Sequence, residues 1–402
     1  MSDKNNRLWT YSLPAALALL APLNILASLG MDIYLPVVPA MPEVLATTPG
    51  TVQLTLSLYM VMLGAGQILF GPLSDRFGRR PVLVCGCIVF AAASLALAAT
   101  SSAGLFVLLR LVQAAGASAM LVAVFATIRD VYAQRPESAA IYSMMNGALA
   151  FVPAIGPVAG ALVLMLGGWR AIFVVLAIPA LVMLAVILPL WPETRRVGRE
   201  GARAGFAAVL KSLAFWTYTL GFGAAMGSFF VFFSIAPRVL IERAGFSELG
   251  FSLAFASVAV VMVAATRLAT GLVGRWGIPG SVARGMAMLI AGACLLSVGQ
   301  LFFAPSFWSF VLPMWLVAIG IVLTVSVTAN GALQEFTEVA GTAVALHFCV
   351  QSLIVGLVGT GFVIGLDGDT AWPLIAYAAT MAVLTMLALA WLHRRGLHLR
   401  AG

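Results

Sequence analysis

The chain alternates long apolar runs with short segments rich in Gly, Pro and charge. Read by that punctuation, the runs fall at 13–36, 51–71, 82–100, 104–127, 139–162, 170–191, 213–236, 248–271, 283–303, 307–329, 341–365 and 372–393. Each is about as long as the roughly 20 residues that carry an α-helix across a bilayer. Spanning segments must satisfy their own backbone hydrogen bonds, so the pattern predicts an all-α integral membrane protein of twelve transmembrane helices, with no soluble domain between them. The longest polar stretch, from Pro192 to Lys211, holds Arg195, Arg196, Arg199, Arg203 and Lys211. It splits the chain into a six-helix half at 1–191, a cytoplasmic linker at 192–212 and a second six-helix half at 213–402.

Composition narrows the class further. Of 402 residues, 62% are hydrophobic and 9% charged, and mean hydropathy is +1.07. That is too little polar surface for a water-facing exterior. The net charge of +8 is spread between apolar runs rather than gathered into one patch, which argues against nucleic acid as a partner. Basic residues also set orientation. With both termini in the cytoplasm, the outer loops hold only Arg170, Arg238 and Arg243 of the 22, and Arg110 and Arg267 fall inside spans. The first run is too long for a cleaved signal sequence and reads as a retained span. Cys85, Cys87, Cys294 and Cys349 lie inside apolar runs and read as buried small hydrophobes. No spacing suits a metal, and no GxxxxGK[ST] loop supports ATP drive. No cofactor is expected.

A weak internal repeat relates the halves. GPLSDRFGRR at Gly71–Arg80 and TGLVGRWG at Thr270–Gly277 align Arg76 with Arg275, an offset of 199, and Asp75 then falls on Gly274. Parallel repeats of this kind suit a transporter with its substrate site between the halves near the bilayer midplane.

Charge inside the membrane is costly and persists mainly where it is paired or functional. Asp32 is the one acid placed within a span. Asn24 and Ser28 precede it at i−8 and i−4, so a polar stripe faces the bundle interior. Burial disfavours a carboxylate's charged form and a nearby cation favours it. A site poised between the two can take a proton from one side and release it to the other. The alternative is an interfacial acid close enough to Pro36 to reach water. Arg110, with Gln113 one turn on, stays charged; it can bias a neighbouring acid, bond a substrate, or serve structurally on backbone carbonyls.

The run Gly71-Pro-Leu-Ser-Asp75-Arg76-Phe-Gly78-Arg79-Arg80 reads as a tight cytoplasmic turn, with Gly71 and Gly78 permitting close approach and Asp75 as a latch to helix N-termini or arginines across the contact between the halves. In the fifth span Pro153, Gly156, Pro157 and Gly160 predict a bendable, thin helix. Gln53, Leu56, Met60 and Gln67 share a face with Tyr59 at its edge. Phe229, Phe230, Phe232 and Phe233 cluster in the seventh span, and Asn146, Asn330, His347 and Gln351 are single polar residues in spans. Each alone reads as a packing group. Together, Asn24, Met31, Leu56, Tyr59, Met60, Arg110, Asn146, Phe229, Phe233 and Gln351 would line an apolar cavity with a few polar anchors.

These residues carry a resemblance. GPLSDRFGRRP resembles the loop signature of the major facilitator superfamily, RLVQAAGAS at Arg110–Ser118 its fourth-span motif, and PAIGPVAG at Pro153–Gly160 the fifth-span motif of its drug:proton antiporters. MDIYLPVVPAMP, QLTLSLYMVMLGAGQ, FFVFFSIAPRVL, VSVTANGAL and DTAWP resemble the chloramphenicol/florfenicol exporters of the bicyclomycin/chloramphenicol resistance group. The resemblance implies the major facilitator fold and proton-driven efflux of phenicols by alternating access. The drug would bind between the halves of a monomer in the bacterial inner membrane. It assigns the proton to Asp32, the partner role to Arg110 and the gate to Asp75. Two departures stand out. Asn24 occupies the place of a second acid, and Ala114 replaces a glycine of the fourth-span motif. Rival readings are a broad multidrug exporter, a proton-coupled importer and a polytopic membrane enzyme.

Overall fold

The computed structural model describes residues 9–132, 135–195, 206–336 and 340–395; the middle of the linker and the charges Lys4, Arg7, Arg196, Arg199, Arg203 and Arg400 lie outside them. The described residues form helices α1 (Leu13–Asp32), α2 (Met41–Val44), α3 (Pro49–Phe77), α4 (Arg79–Ala99), α5 (Ala103–Tyr132), α6 (Ser138–Leu190), α7 (Phe206–Lys211), α8 (Leu213–Pro237), α9 (Glu248–Phe302), α10 (Leu312–Leu333), α11 (Ala340–Leu353), α12 (Gly359–Gly365) and α13 (Trp372–Arg394), with no strand among them. Among the described residues, eleven helical stretches are long and apolar enough to cross a membrane. One of them, Ala140–Leu190, has 51 residues and would be about 77 Å long if straight, more than twice a hydrocarbon core. It is interrupted at Gly168, whose φ of 71° no helix contains, so it makes two crossings and the twelve expected spans are present.

Two boundaries differ from the sequence reading. The first span does not stop at Pro36: α1 ends at Asp32 and the chain continues through a 3₁₀ turn, Leu35–Ala40, into α2. The run Gly71–Arg80, read as a tight turn, confines that turn to a single residue. α3 continues through Pro72 to Phe77, α4 begins at Arg79, and Gly78 alone breaks the helix, with φ 108°. Gly71 therefore makes no close approach; a Cβ placed there would meet nothing within 4 Å. Nor are the cysteines uniformly buried. Cys87 is, but Cys85 and Cys294 lie exposed on their helices, where an apolar side chain suits lipid.

The chain divides into two compact units, Met1–Glu200 and Gly201–Gly402. Their interiors use the same backbone devices. Ala46 and Gly245, 199 residues apart, both have positive φ, as do Gly78 and Gly277. Thr48 caps α3 by accepting from the Thr51 amide (3.3 Å), and Ser247 caps α9 by accepting from that of Gly250 (3.0 Å). Close helix packing recurs as well. A Cβ on Gly86 of α4 would sit 3.0 Å from the Gly116 carbonyl of α5, and one on Gly116 2.8 Å from that of Gly86. In the second unit Gly285 and Gly320 stand in the same reciprocal relation, each 2.7 Å from the other's carbonyl. Lipid tails supply no hydrophobic drive between helices, so such close van der Waals approach holds them together.

Candidate functional site

In the first unit α1 lies against the α6 segment that carries Pro153, Gly156, Pro157 and Gly160. Helical backbone runs unbroken through both prolines, and the break comes later, at Gly168. The glycines remove side chains where the end of α1 arrives. A Cβ on Gly156 would sit 2.6 Å from the Asp32 Cβ, and one on Gly160 would run into the Ile33 carbonyl oxygen. The fifth-span motif and the intramembrane acid, read separately in the sequence, thus form one contact. Asp32 is buried, and among the described residues it has no hydrogen bond or ion pair.

Arg110 does not pair with Asp32 directly. Fully buried on α5, it donates from Nη1 to the Gly30 carbonyl (2.8 Å), two residues before the acid, and to Gln113 Oε1 (2.6 Å). Gln113 donates in turn to Ser94 Oγ (2.8 Å), and Ser94 to the Phe90 carbonyl (2.6 Å). The guanidinium lies 4.9 Å from the ring centre of Tyr34 and 4.5 Å from that of Tyr59, close enough for cation–π attraction. Tyr59 donates to the Ala27 carbonyl (2.8 Å), and its hydroxyl occupies the space left by the missing side chain of Gly30. Among the described residues Arg110 Nε and Nη2 have no hydrogen-bond partner. A permanent cation held by carbonyls and ring faces, two residues of backbone from an unpaired carboxyl group, is an arrangement with polar capacity in reserve.

The remaining candidates of this unit are spread along the same helices. Asn24 is buried and donates from Nδ2 to the Met145 carbonyl of α6 (3.3 Å), with Oδ1 unpartnered. Met31 and Leu56 are buried and Met60 is half-buried. The side chain of Asn146 lies outside the described residues.

At the other end of α3, Arg79 is the buried centre of a charge cluster. Its Nη1 meets Asp75 Oδ1 at 2.6 Å and its Nε meets Asp130 Oδ2 at 2.8 Å. Asp75 itself is largely exposed, and its other ionic neighbour is Arg129 at 3.8 Å. These two described neighbours of Asp75 belong to the first unit. The N-terminus of α4 is held by Glu193, whose Oε1 accepts from the Arg79 amide (2.9 Å) and Oε2 from that of Arg80 (3.1 Å). Glu193 also receives the Arg195 amide (2.8 Å), while Arg195 donates to the Arg76 carbonyl. Sequence reasoning missed Asp130 and Glu193. Their only signal was an acid at a span end and another beside a proline in the linker.

In the second unit Phe229 and Phe233 of α8 meet Phe255 of α9 at ring distances of 5.9 and 6.0 Å, and Phe232 stacks on it at 5.3 Å. Gln351 is buried on α11, donating to Ser352 Oγ (2.9 Å) with Oε1 unpartnered. His347, one turn earlier, contacts Thr219 Oγ1 through Nδ1 (2.9 Å). No cluster among the described residues could hold a metal ion.

A model of the Major Facilitator Superfamily matches residues 20–360. The chain belongs to that superfamily. It is therefore a multi-pass membrane transporter rather than an enzyme, as the loop and span motifs implied. It is 50% identical to a chloramphenicol resistance protein of Pseudomonas aeruginosa over 96% of this chain and 92% of that one. It is also 26% identical to the multidrug resistance protein MdtL of a Shewanella species over 89% of this chain and 91% of that one. Among solved structures, a peptide transporter in complex with sulfate matches 98% of both chains with a TM-score of 0.81 at 13% identity, a likeness of fold.

Proposed function

We propose that this transporter exports phenicol antibiotics from the cytoplasm in exchange for protons. Asp32 is the coupling carboxylate. The observation that carries the reading is a carboxyl group at the end of a membrane helix, buried and, among the described residues, without a cation paired to it. Such a group is held in neither protonation state by a fixed salt bridge. A paired acid would resist protonation, whereas this one is free to alternate. Half-identity to a chloramphenicol resistance protein along nearly the whole chain supports the substrate class.

The cycle runs by opposition of drug and proton. With Asp32 ionised, the inward-open form takes drug from the cytoplasm or inner leaflet. Access then changes side, and protonation from outside weakens drug binding and releases it. Linkage requires the effect to be mutual, so drug binding opposes protonation to the same degree. Phenicols are neutral, and exchange of one drug for one proton carries one charge inward. About 100 mV then contributes roughly 2.3 kcal/mol, a drug gradient of about fifty-fold without ATP. Arg110 holds the backbone at Gly30 and so fixes where the Asp32 carboxyl stands. Asp75, with Arg79, Asp130 and Glu193, ties α3 to α4 and α5 on the cytoplasmic side and gates that mouth; Gly78, Arg76 and the glycines of α6 shape the moving parts. Both termini are cytoplasmic, the membrane is the bacterial inner membrane, and one chain suffices.

Asn24 stands where phenicol exporters carry a second acid, and it is used structurally, on the Met145 carbonyl. Coupling rests on Asp32 alone. A broader multidrug range is the second reading, favoured by the MdtL likeness. A susceptibility panel in a sensitive host decides between them. Wild type protects against chloramphenicol and florfenicol and loses protection with a protonophore; protection spread evenly over unrelated drugs supports the broader range, and no phenicol protection overturns the proposal.

A further inference from the structure

The second unit contains a pair of polar groups that the proton mechanism does not use. His347 and Gln351 lie four residues apart on α11 and so share a face, with Cβ atoms about 5–6 Å apart. Both are more than nine-tenths buried, and each keeps one polar atom without a partner among the described residues: Nε2 of His347 and Oε1 of Gln351.

The hydrogen bonds decide what these atoms offer. Among the described residues the Thr219 hydroxyl has one partner, His347 Nδ1 at 2.9 Å. If Nδ1 carried the proton, the hydroxyl hydrogen would have no acceptor and Nε2 would be an empty acceptor, leaving two buried groups unmet. If the hydroxyl donates to Nδ1, only one remains, the Nε2–H. Each unmet group costs about 1–3 kcal/mol, so the second arrangement prevails. The imidazole then presents a donor, and Gln351 presents an acceptor because its amide nitrogen is committed to Ser352. Aromatic rings frame the donor: Phe222 at 5.2 Å, Phe348 at 5.5 Å and Phe215 at 6.4 Å from the imidazole. Gln351 and Phe222 retain slight exposure, which marks the side from which the face is reached.

We infer that His347 and Gln351 form a two-point anchor for a neutral aromatic ligand, His347 Nε2–H donating to a ligand carbonyl or comparable oxygen and Gln351 Oε1 accepting from a ligand hydroxyl or amide N–H. The ligand's ring is received by Phe222 and Phe348. A phenicol carries all three features: an amide, free hydroxyls and an aryl ring. The anchor rests on the phenicol reading for its ligand, and it adds a specificity-determining histidine distant in sequence from Asp32.

Equilibrium binding of radiolabelled chloramphenicol to the full chain in lipid nanodiscs tests it. His347→Asn keeps an amide at the Nδ1 position but places nothing at Nε2. It weakens binding roughly ten-fold, the loss of one buried hydrogen bond. His347→Gln reaches the Nε2 position with an amide nitrogen and restores binding to within a few-fold of wild type. Gln351→Met, which leaves the imidazole packing alone, weakens binding several-fold and carries the test if His347→Asn does not fold. Wild-type binding with His347→Asn and Gln351→Met unchanged overturns the anchor and leaves the drug reading intact. Failure of the wild type to bind chloramphenicol overturns both.

Discussion

The two units keep the same backbone devices at corresponding positions and part company in charge. Ala46 and Gly245 turn the chain before α3 and α9, Thr48 and Ser247 cap them, and the backbone breaks from helical geometry at Gly78 after α3 and at Gly277 within α9. Gly86 with Gly116, and Gly285 with Gly320, bring the next two helices together. At the same offset Asp32 becomes Val231, Asp75 becomes Gly274 and Arg79 becomes Ile278; at the offset set by Gly116 and Gly320, Arg110 becomes the buried Met314. Turns, caps and close helix contacts are what the fold needs twice. Ionisable groups inside a membrane are costly, and the second unit keeps the fold without them at these positions.

The largest break in this comparison comes from the acid that has no counterpart. Asp32→Asn keeps size and burial but cannot titrate. It is expected to abolish the whole of the roughly fifty-fold drug gradient that one proton per cycle sustains at about 100 mV, measured as drug retained in energised cells. Val231→Thr, at the corresponding position, leaves that gradient within about two-fold of wild type by the same measurement, since the side chain keeps its shape and its added hydroxyl can bond a carbonyl of its own helix.

A sharper comparison uses the paired glycines. Gly78→Ala forces a side chain to φ 108° and into the Glu193 carboxylate, displacing the group that holds the start of α4. Gly277→Ala faces only the dihedral penalty, with Pro279 Cδ 4.0 Å away. Thermal unfolding in detergent should show the first costing about 2–4 kcal/mol and the second about 1–2 kcal/mol. Equal losses would mean that Glu193 contributes nothing there. Glu193→Gln then isolates the charge on that cap, with an expected cost near 1 kcal/mol by the same assay and no equivalent loss for changes around Gly277. The smallest effect is that of Gly71→Ala. Nothing lies within 4 Å of its added methyl, so the helix gains about 0.5–1 kcal/mol and transport persists.

The sequence was most legible where one residue type serves one physical demand. Apolar runs of membrane length announced the spans, and Asp32 stood out because carboxylates rarely enter a span. The 199-residue repeat was visible through Arg76 and Arg275, although the residues that realise it are Gly78 and Gly277 and the caps before them. Contacts between helices remote in sequence were not legible. Nothing along the chain says that Gly156 and Gly160 thin α6 for the end of α1, that Arg110 reaches Gly30 across 80 positions, or that Glu193 returns to cap α4. Gly71 and Gly78 looked alike in the motif. Only the course of α3 through Pro72 to Phe77 separates a helical glycine from a hinge.

Drug-evoked proton movement in proteoliposomes tests the central assignment most directly. With the purified chain reconstituted and a pH-sensitive dye inside, a chloramphenicol gradient should drive a proton flux in the opposite direction for wild type and none for Asp32→Asn. An Asp32→Asn protein that still moves protons in response to drug would contradict the account.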